Sequence, residues 1–176
     1  MERKDNSCRV KFHTAVKEDI KEFEDIASQA CGKSYTTEKV EQDEKLFESE
    51  SINIRAMLEF LKSFATKNGF KEAFINDLLV VGDEMFSNIC KYAYKEGAGN
   101  IFLKVLYDSS VNEFMLMIID EGIPFNPFAE EKEPISGDID LIQEGGLGIL
   151  IVKQLMSEYN YDYIDNKNVV ILKKKL

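Results

Sequence analysis

The hydrophobic pattern changes period within the first thirty residues. Cys8, Val10 and Phe12 alternate with Arg9, Lys11 and His13, the period of a half-buried strand. Behind Thr14, a candidate cap, Val16, Ile20, Phe23, Ala27 and Ala30 recur at helical spacing until Gly32. Residues 36–51 are polar and acid-rich, broken mainly by Leu46 and Phe47, so a connector with room for one short strand is expected. Ile54, Met57, Leu58, Leu61, Phe64 and Ala65 then form a helical stripe that Asn68-Gly69 ends with a left-handed stop. A second long helix is predicted over 72–94, with Phe74, Ile75, Leu78, Leu79, Met85, Phe86, Ile89 and Ala93 on its core face. Gly97 and Gly99 close it. Residues 101–107 and 113–120 read as strands of one antiparallel hairpin joined through 108–112. The stretch 125–144, with Pro127, Pro134 and Gly137, has the length of a functional loop and is expected to be a lid. A helix over 147–158 and strands over 159–164 and 169–173 follow, with Asp165-Asn166-Lys167-Asn168 as the turn. The helices are expected to cover one face of a mixed, mostly antiparallel sheet, which makes a two-layer α/β sandwich.

Composition narrows function more than fold. The chain has 176 residues, 44% of them apolar, enough for one domain with a full core. A net charge of −10 has the wrong sign for non-specific nucleic-acid binding, which draws on clustered Lys and Arg. With no apolar run long enough for a bilayer and no signal-like opening segment, a cytoplasmic protein without membrane contact is expected. Cys8, Cys31 and Cys90 lack C-x-x-C spacing and read as reduced thiols, Cys90 in the core. His13, the sole histidine, leaves little room for zinc-hydrolase or triad chemistry.

Three clusters remain as candidate chemistry. On the 72–94 helix, i and i+4 spacing stacks Glu84 above Asn88 on a stripe shared with Val81 and Lys91. Such a row can orient a nucleophile, offer an oxygen to a hard cation such as Mg²⁺ and touch a phosphate. Asp120 stands where an apolar strand leaves the sheet and can accept from an exocyclic amine, and Gly122 lets a flat ring approach the backbone. Gly145, Gly146 and Gly148 open an apolar helix whose free N–H groups suit phosphate oxygens. The last cluster is neither a dinucleotide fingerprint nor a P-loop. Gly32-Lys33-Ser34 has a P-loop ending, but Ala27 stands where the first glycine is required.

In order and context, Glu84-x-x-x-Asn88-x-x-Lys91-Tyr92-Ala93-Tyr94, Asp120-x-Gly122-x-Pro124-Phe125 and Gly145-Gly146-Leu147-Gly148 resemble the GHKL ATPase superfamily. The resemblance is to its small single-domain branch, the bacterial anti-sigma factor serine kinases, and covers residues 46–176. It implies a Bergerat-type fold, ATP and Mg²⁺ as cofactors, and residues 45–176 as the ATP-binding domain behind a 1–44 extension. It also implies roles: Glu84 as the general base, Asn88 as the Mg²⁺ ligand, Asp120 on the adenine amino group, and Gly122 admitting the ring. Gly145, Gly146 and Gly148 would cradle the phosphates, with Lys91 near them. A sigma factor and an anti-sigma factor antagonist are the implied partners, and a homodimer the implied assembly.

Two departures qualify what is implied. Tyr92 stands where many relatives have histidine, and Gln143 and Glu144 stand where some kinases have an arginine; no arginine follows Arg55. Phosphoryl transfer would then draw its cation from Lys91 or Lys132. Two readings stay open: a kinase of the antagonist, and a non-catalytic ATP-binding module whose lid controls docking. A histidine-kinase catalytic domain is disfavoured, because His13 lacks an acidic neighbour and a proline.

Overall fold

The computed structural model describes residues 17–31, 39–95, 97–129 and 146–176. The expected strand around Cys8 to His13, Gly145, and the expected lid beyond Ala129 lie outside the described residues. In chain order the elements are α1 (Lys17–Cys31), β1 (Val40–Glu48), a 3-10 turn (Ser51–Asn53), α2 (Ile54–Lys67), α3 (Glu72–Asn88) and a π-turn (Ile89–Ala93). Next come β2 (Asn100–Asp108), β3 (Glu113–Asp120), α4 (Gly146–Leu155), β4 (Glu158–Ile164) and β5 (Lys167–Lys175).

The strands form one sheet in the order β1-β2-β3-β5-β4. Each neighbouring pair is antiparallel, so among the described residues the sheet is not mixed. For β2–β3 and β4–β5 the direction follows from the connection, since adjacent strands joined by tight turns must run in opposite directions. The 108–112 loop joins β2 to β3 as expected. The β4–β5 turn is tighter than the four residues expected: Asp165 and Asn166 both take left-handed φ, 48° and 61°, as a two-residue hairpin turn demands. Lys167 and Asn168 therefore belong to β5.

Strand alternation divides the core into two layers. Phe114, Leu116 and Ile118 of β3, with Val170 and Leu172 of β5, face α2, α3 and α4. Met115, Met117 and Ile119, with Val169 and Ile171, face the other way and pack under Phe23, Ile26 and Ala27 of α1. The α/β sandwich is as expected, but α1 covers the face the sequence left open. β3 is consequently buried on both sides, which explains its unbroken apolar run. β1 starts at Val40 and pairs with β2 along its whole length, so one strand crosses the 44/45 boundary drawn from sequence.

Local signals account for the helix ends. Gly69 at φ 71° lets Phe70 N–H donate to Ala65 O (3.1 Å) and Gly69 N–H to Thr66 O (3.0 Å), terminating α2. Phe70 then joins an aromatic cluster with Phe74, Tyr107 and Phe114, ring centroids 4.7 to 6.0 Å apart. The α-helix expected to reach Tyr94 instead widens after Asn88 into the π-turn, and Tyr94 is already extended. Among the described residues no helix is long and apolar enough to cross a membrane.

Phe114 is fully buried and has Phe64, Phe70 and Phe74 around it. Phe114→Ala should cost about 3–5 kcal/mol, seen as a lower urea midpoint at unchanged slope.

Candidate functional site

Asp120 ends β3 facing the helical layer, buried to 4% exposure. Its Oδ1 accepts from Gly122 N–H (2.8 Å) and from Asn168 Nδ2 (2.9 Å). Burial raises the carboxyl above its ordinary value, opposed by these two hydrogen bonds. Both bonds end on Oδ1, which leaves Oδ2 to accept from an added donor. Asn168, directly opposite Asp120 in the β3–β5 register, does more than this. Its Nδ2 also donates to Gly122 O (3.3 Å) and Ile123 O (3.1 Å), and its Oδ1 accepts from Phe125 N–H (3.1 Å) and Tyr161 Oη (2.8 Å).

The loop beyond Asp120 is held at every available N–H. Glu121 N–H donates to Tyr94 Oη (3.1 Å), Gly122 N–H to Asp120, Ile123 N–H to Ala93 O (2.8 Å), and Phe125 N–H to Asn168. Pro124 has none to place. Tyr94 in turn donates to Asn100 O (3.0 Å), and burial pushes its hydroxyl pKa up, with the nearby Asp120 charge adding to the rise. Loops free to move carry unpaired or water-bonded backbone; this one is fixed by the sheet and by the π-turn.

Two glycines bring the remaining elements together. A Cβ on Gly122 would sit 2.5 Å from Ala93 Cβ and 2.7 Å from Ala93 O, so the loop touches the π-turn backbone only because no side chain intervenes. A Cβ on Gly148 would overlap Glu84 Oε2 and sit 2.5 Å from Glu84 Cδ. The Glu84 carboxylate therefore lies against the first turn of α4, where backbone N–H groups have no helical acceptor. The segment from Glu84 to Ala93 is thus contacted near one end by α4 and at the other by the β3 exit, about 13 Å apart at helical rise. Asn88, half-buried, lies between them.

Of the residues singled out from sequence, Glu84 and Gly148 meet, Asp120 and Gly122 bond, and Gly146 opens α4. Gly145 lies outside the described residues. Lys91 is exposed on the π-turn, and the wider turn breaks the 3.6-residue spacing that put it on the Glu84–Asn88 stripe. Asn168 was missed because it was assigned to a turn; an Asn opening a strand opposite a strand-end Asp was the available signal. Cys90 is half-buried with its thiol pushed up to about 11 by desolvation, so it is an inert packing group.

Among the described residues no group of three or more His, Cys, Asp or Glu could hold a metal ion. Mg²⁺ suits such a site, since it keeps several waters and takes one or two protein oxygens beside phosphates. Asn88 offers one amide oxygen of that kind.

Residues 47–174 match the family of histidine kinase-like ATPase domains, and the chain belongs to that family. Within it, the chain is similar to serine-protein kinases named RsbW. It is 26% identical over 138 residues to that of Bacillus thuringiensis (strain Al Hakam), covering 72% of this chain and 85% of the relative. The RsbW of Bacillus cereus (strain AH187) is 25% identical over the same shares. Among solved structures, the RsbU and RsbW domains of Rv1364c from Mycobacterium tuberculosis superpose with a TM-score of 0.55 at 14% identity. That alignment takes in 77% of this chain but only 32% of the other, so the chain spans about a third of that protein, and the likeness is one of fold.

The glycine geometry separates two substitutions. Gly122→Ala meets backbone and should cost about 1–3 kcal/mol, whereas Gly148→Ala meets only the movable end of Glu84. Helix propensity gains about 1 kcal/mol for the latter and offsets the shift, so its melting temperature should stay near wild type.

A pH dependence follows from Asp120. A carboxyl raised in the folded state keeps its proton there after the unfolded chain has lost it, so stability falls as pH rises through that interval. The full penalty is present only above the folded-state value. Asp120→Asn should therefore be at least as stable as wild type at pH 7, with the difference shrinking on acidification; paired thermal melts across pH check it.

Proposed function

We propose that this chain binds Mg-ATP between α3, the 120–125 loop and the start of α4, and is a protein serine/threonine kinase. The observation that carries the proposal is the Glu84 carboxylate held against the first turn of α4, beside N–H groups suited to phosphate oxygens. In this reading Asp120 Oδ2 accepts from the adenine amino group, and Gly122 presents backbone to the ring. Asn88 holds Mg²⁺, whose role is to neutralise charge on the phosphates. Gly146 and Gly148 line the phosphate end. The hydroxyl oxygen of the acceptor protein forms a bond to the terminal phosphorus, the bond to the bridging oxygen breaks, and Glu84 takes the hydroxyl proton.

Similarity to the RsbW serine-protein kinases over most of their length supports the enzyme class. It also supports the regulatory reading, in which an anti-sigma factor kinase holds a sigma factor and phosphorylates the antagonist in a partner-switching pathway. The cytoplasm is the compartment, a homodimer the working assembly, and residues 1–44 an extension to the ATP-binding part. One observation favours the second reading, an ATP-binding module without transfer: no arginine follows Arg55, so no guanidinium from the expected lid can meet the terminal phosphate.

Calorimetry should show that Asp120→Asn loses Mg-ATP binding while retaining its fold, because an amide cannot supply the same anionic acceptor at Oδ2. Glu84→Ala should keep binding and lose at least about a hundredfold in turnover. With labelled ATP and an antagonist recovered by pull-down, wild type should label a Ser or Thr of the antagonist. Tight ATP binding without label would favour the non-catalytic module.

A further inference from the structure

Among the described residues the buried polar side chains are Ser49, Asp120, Lys167 and Asn168, and Lys167 alone of these is cationic. Its side chain is 6% exposed and lies between two elements. On one side, Glu22 of α1 meets Nζ at 2.7 Å and the Phe23 ring centroid is 5.1 Å away. On the other, Glu121 of the loop after β3 meets Nζ at 3.5 Å. Glu121 is itself fixed, with its N–H on Tyr94 Oη and its carboxylate accepting from Asn100 Nδ2 at 3.1 Å.

A buried ammonium needs both counter-charges, since losing one partner leaves an under-paired charge in a low dielectric. α1 and the loop are thus held to each other through one cation. A second link runs along the backbone. Lys167 and Asn168 are consecutive in β5 and face opposite sides of the sheet, Lys167 toward α1 and Asn168 toward Asp120. The Asn168 amide has no spare capacity: two N–H groups serve three acceptors and the oxygen serves two donors. Any displacement of the 167–168 backbone must therefore move Asp120 and the N–H of Phe125 together.

We propose that Lys167 is a positioning residue that couples α1 to the nucleotide site, so that docking of α1 and binding of ATP strengthen each other. The proposal rests on the reading of the 120–125 loop as the adenine side. α1 lies outside the matched residues 47–174, so the coupling is a property of this chain's own N-terminal helix. By linkage the effect is reciprocal: whatever α1 does for ATP affinity, ATP does for α1.

The test uses the full chain, Mg-ATP calorimetry, and hydrogen exchange of α1 with and without Mg-ATP. Lys167→Met and Glu22→Gln should each weaken ATP about tenfold, and Lys167→Arg should restore most of that loss. In wild type ATP should slow exchange in residues 21–30, and in Lys167→Met this slowing should vanish. If Lys167→Met does not fold, Glu22→Gln, altering a carboxylate that is 60% exposed, carries both measurements. Unchanged ATP affinity in the variants, or wild-type protein that binds ATP with no response in α1, overturns the coupling alone. Wild-type protein that does not bind ATP overturns the reading of the site and the coupling with it.

Discussion

A strand covered on both faces cannot end in a carboxylate unless that carboxylate is held, because an unpaired buried charge is too costly. β3 is such a strand, and Asp120 is its last residue. Much of the site's architecture meets that one requirement: Asn168 opposite it, Gly122 folding its N–H back onto Oδ1, and a loop whose every N–H is taken. The partners all use one oxygen. A carboxylate kept rigid on one side and available on the other is a prepared acceptor, and preparation of this kind lowers the cost of ordering when a ligand arrives.

The α3 segment then sets the distance between the parts. The Glu84 carboxylate lies against α4, and Ala93 meets the β3 exit, each through a glycine. Because both contacts lie on one continuous stretch, their separation is governed by helical geometry rather than by loop conformation. The π-turn falls between them, where widening of the helix brings the Ala93 carbonyl within reach of the Ile123 N–H at 2.8 Å.

Much of this was legible in the chain. Stripe and stop signals marked α2 and most of α3, the apolar runs marked the β2–β3 hairpin, and the Asp120 and Gly148 clusters stood on the elements where the structure has them. What escaped notice has physical causes. Helix widening after Asn88 places Ala93 against Gly122, a tertiary contact that no local propensity encodes. The turn residues Asp165 and Asn166 are followed by two polar residues, so periodicity could not separate turn from strand, and Asn168 was hidden with them. β1 reads as acidic connector because charged residues fill most of its positions, one of them, Glu44, on the α1 side of the sheet and paired with Lys104 at 2.7 Å. Cover by α1 was missed although β3's unbroken apolar run required something on both faces.

The aromatic cluster around Phe114 lies at the opposite end of β3 from Asp120, six residues or about 20 Å along the strand. One end of the sheet is a dry interlock of rings, and the other is a lattice of hydrogen bonds in which water can substitute. The two ends therefore resist different displacements. The aromatic end resists loss of volume, and the Asp120 end, with its N–H groups paired, resists a change of direction. A protein built this way keeps its shape at one end of the sheet by packing and at the other by orientation.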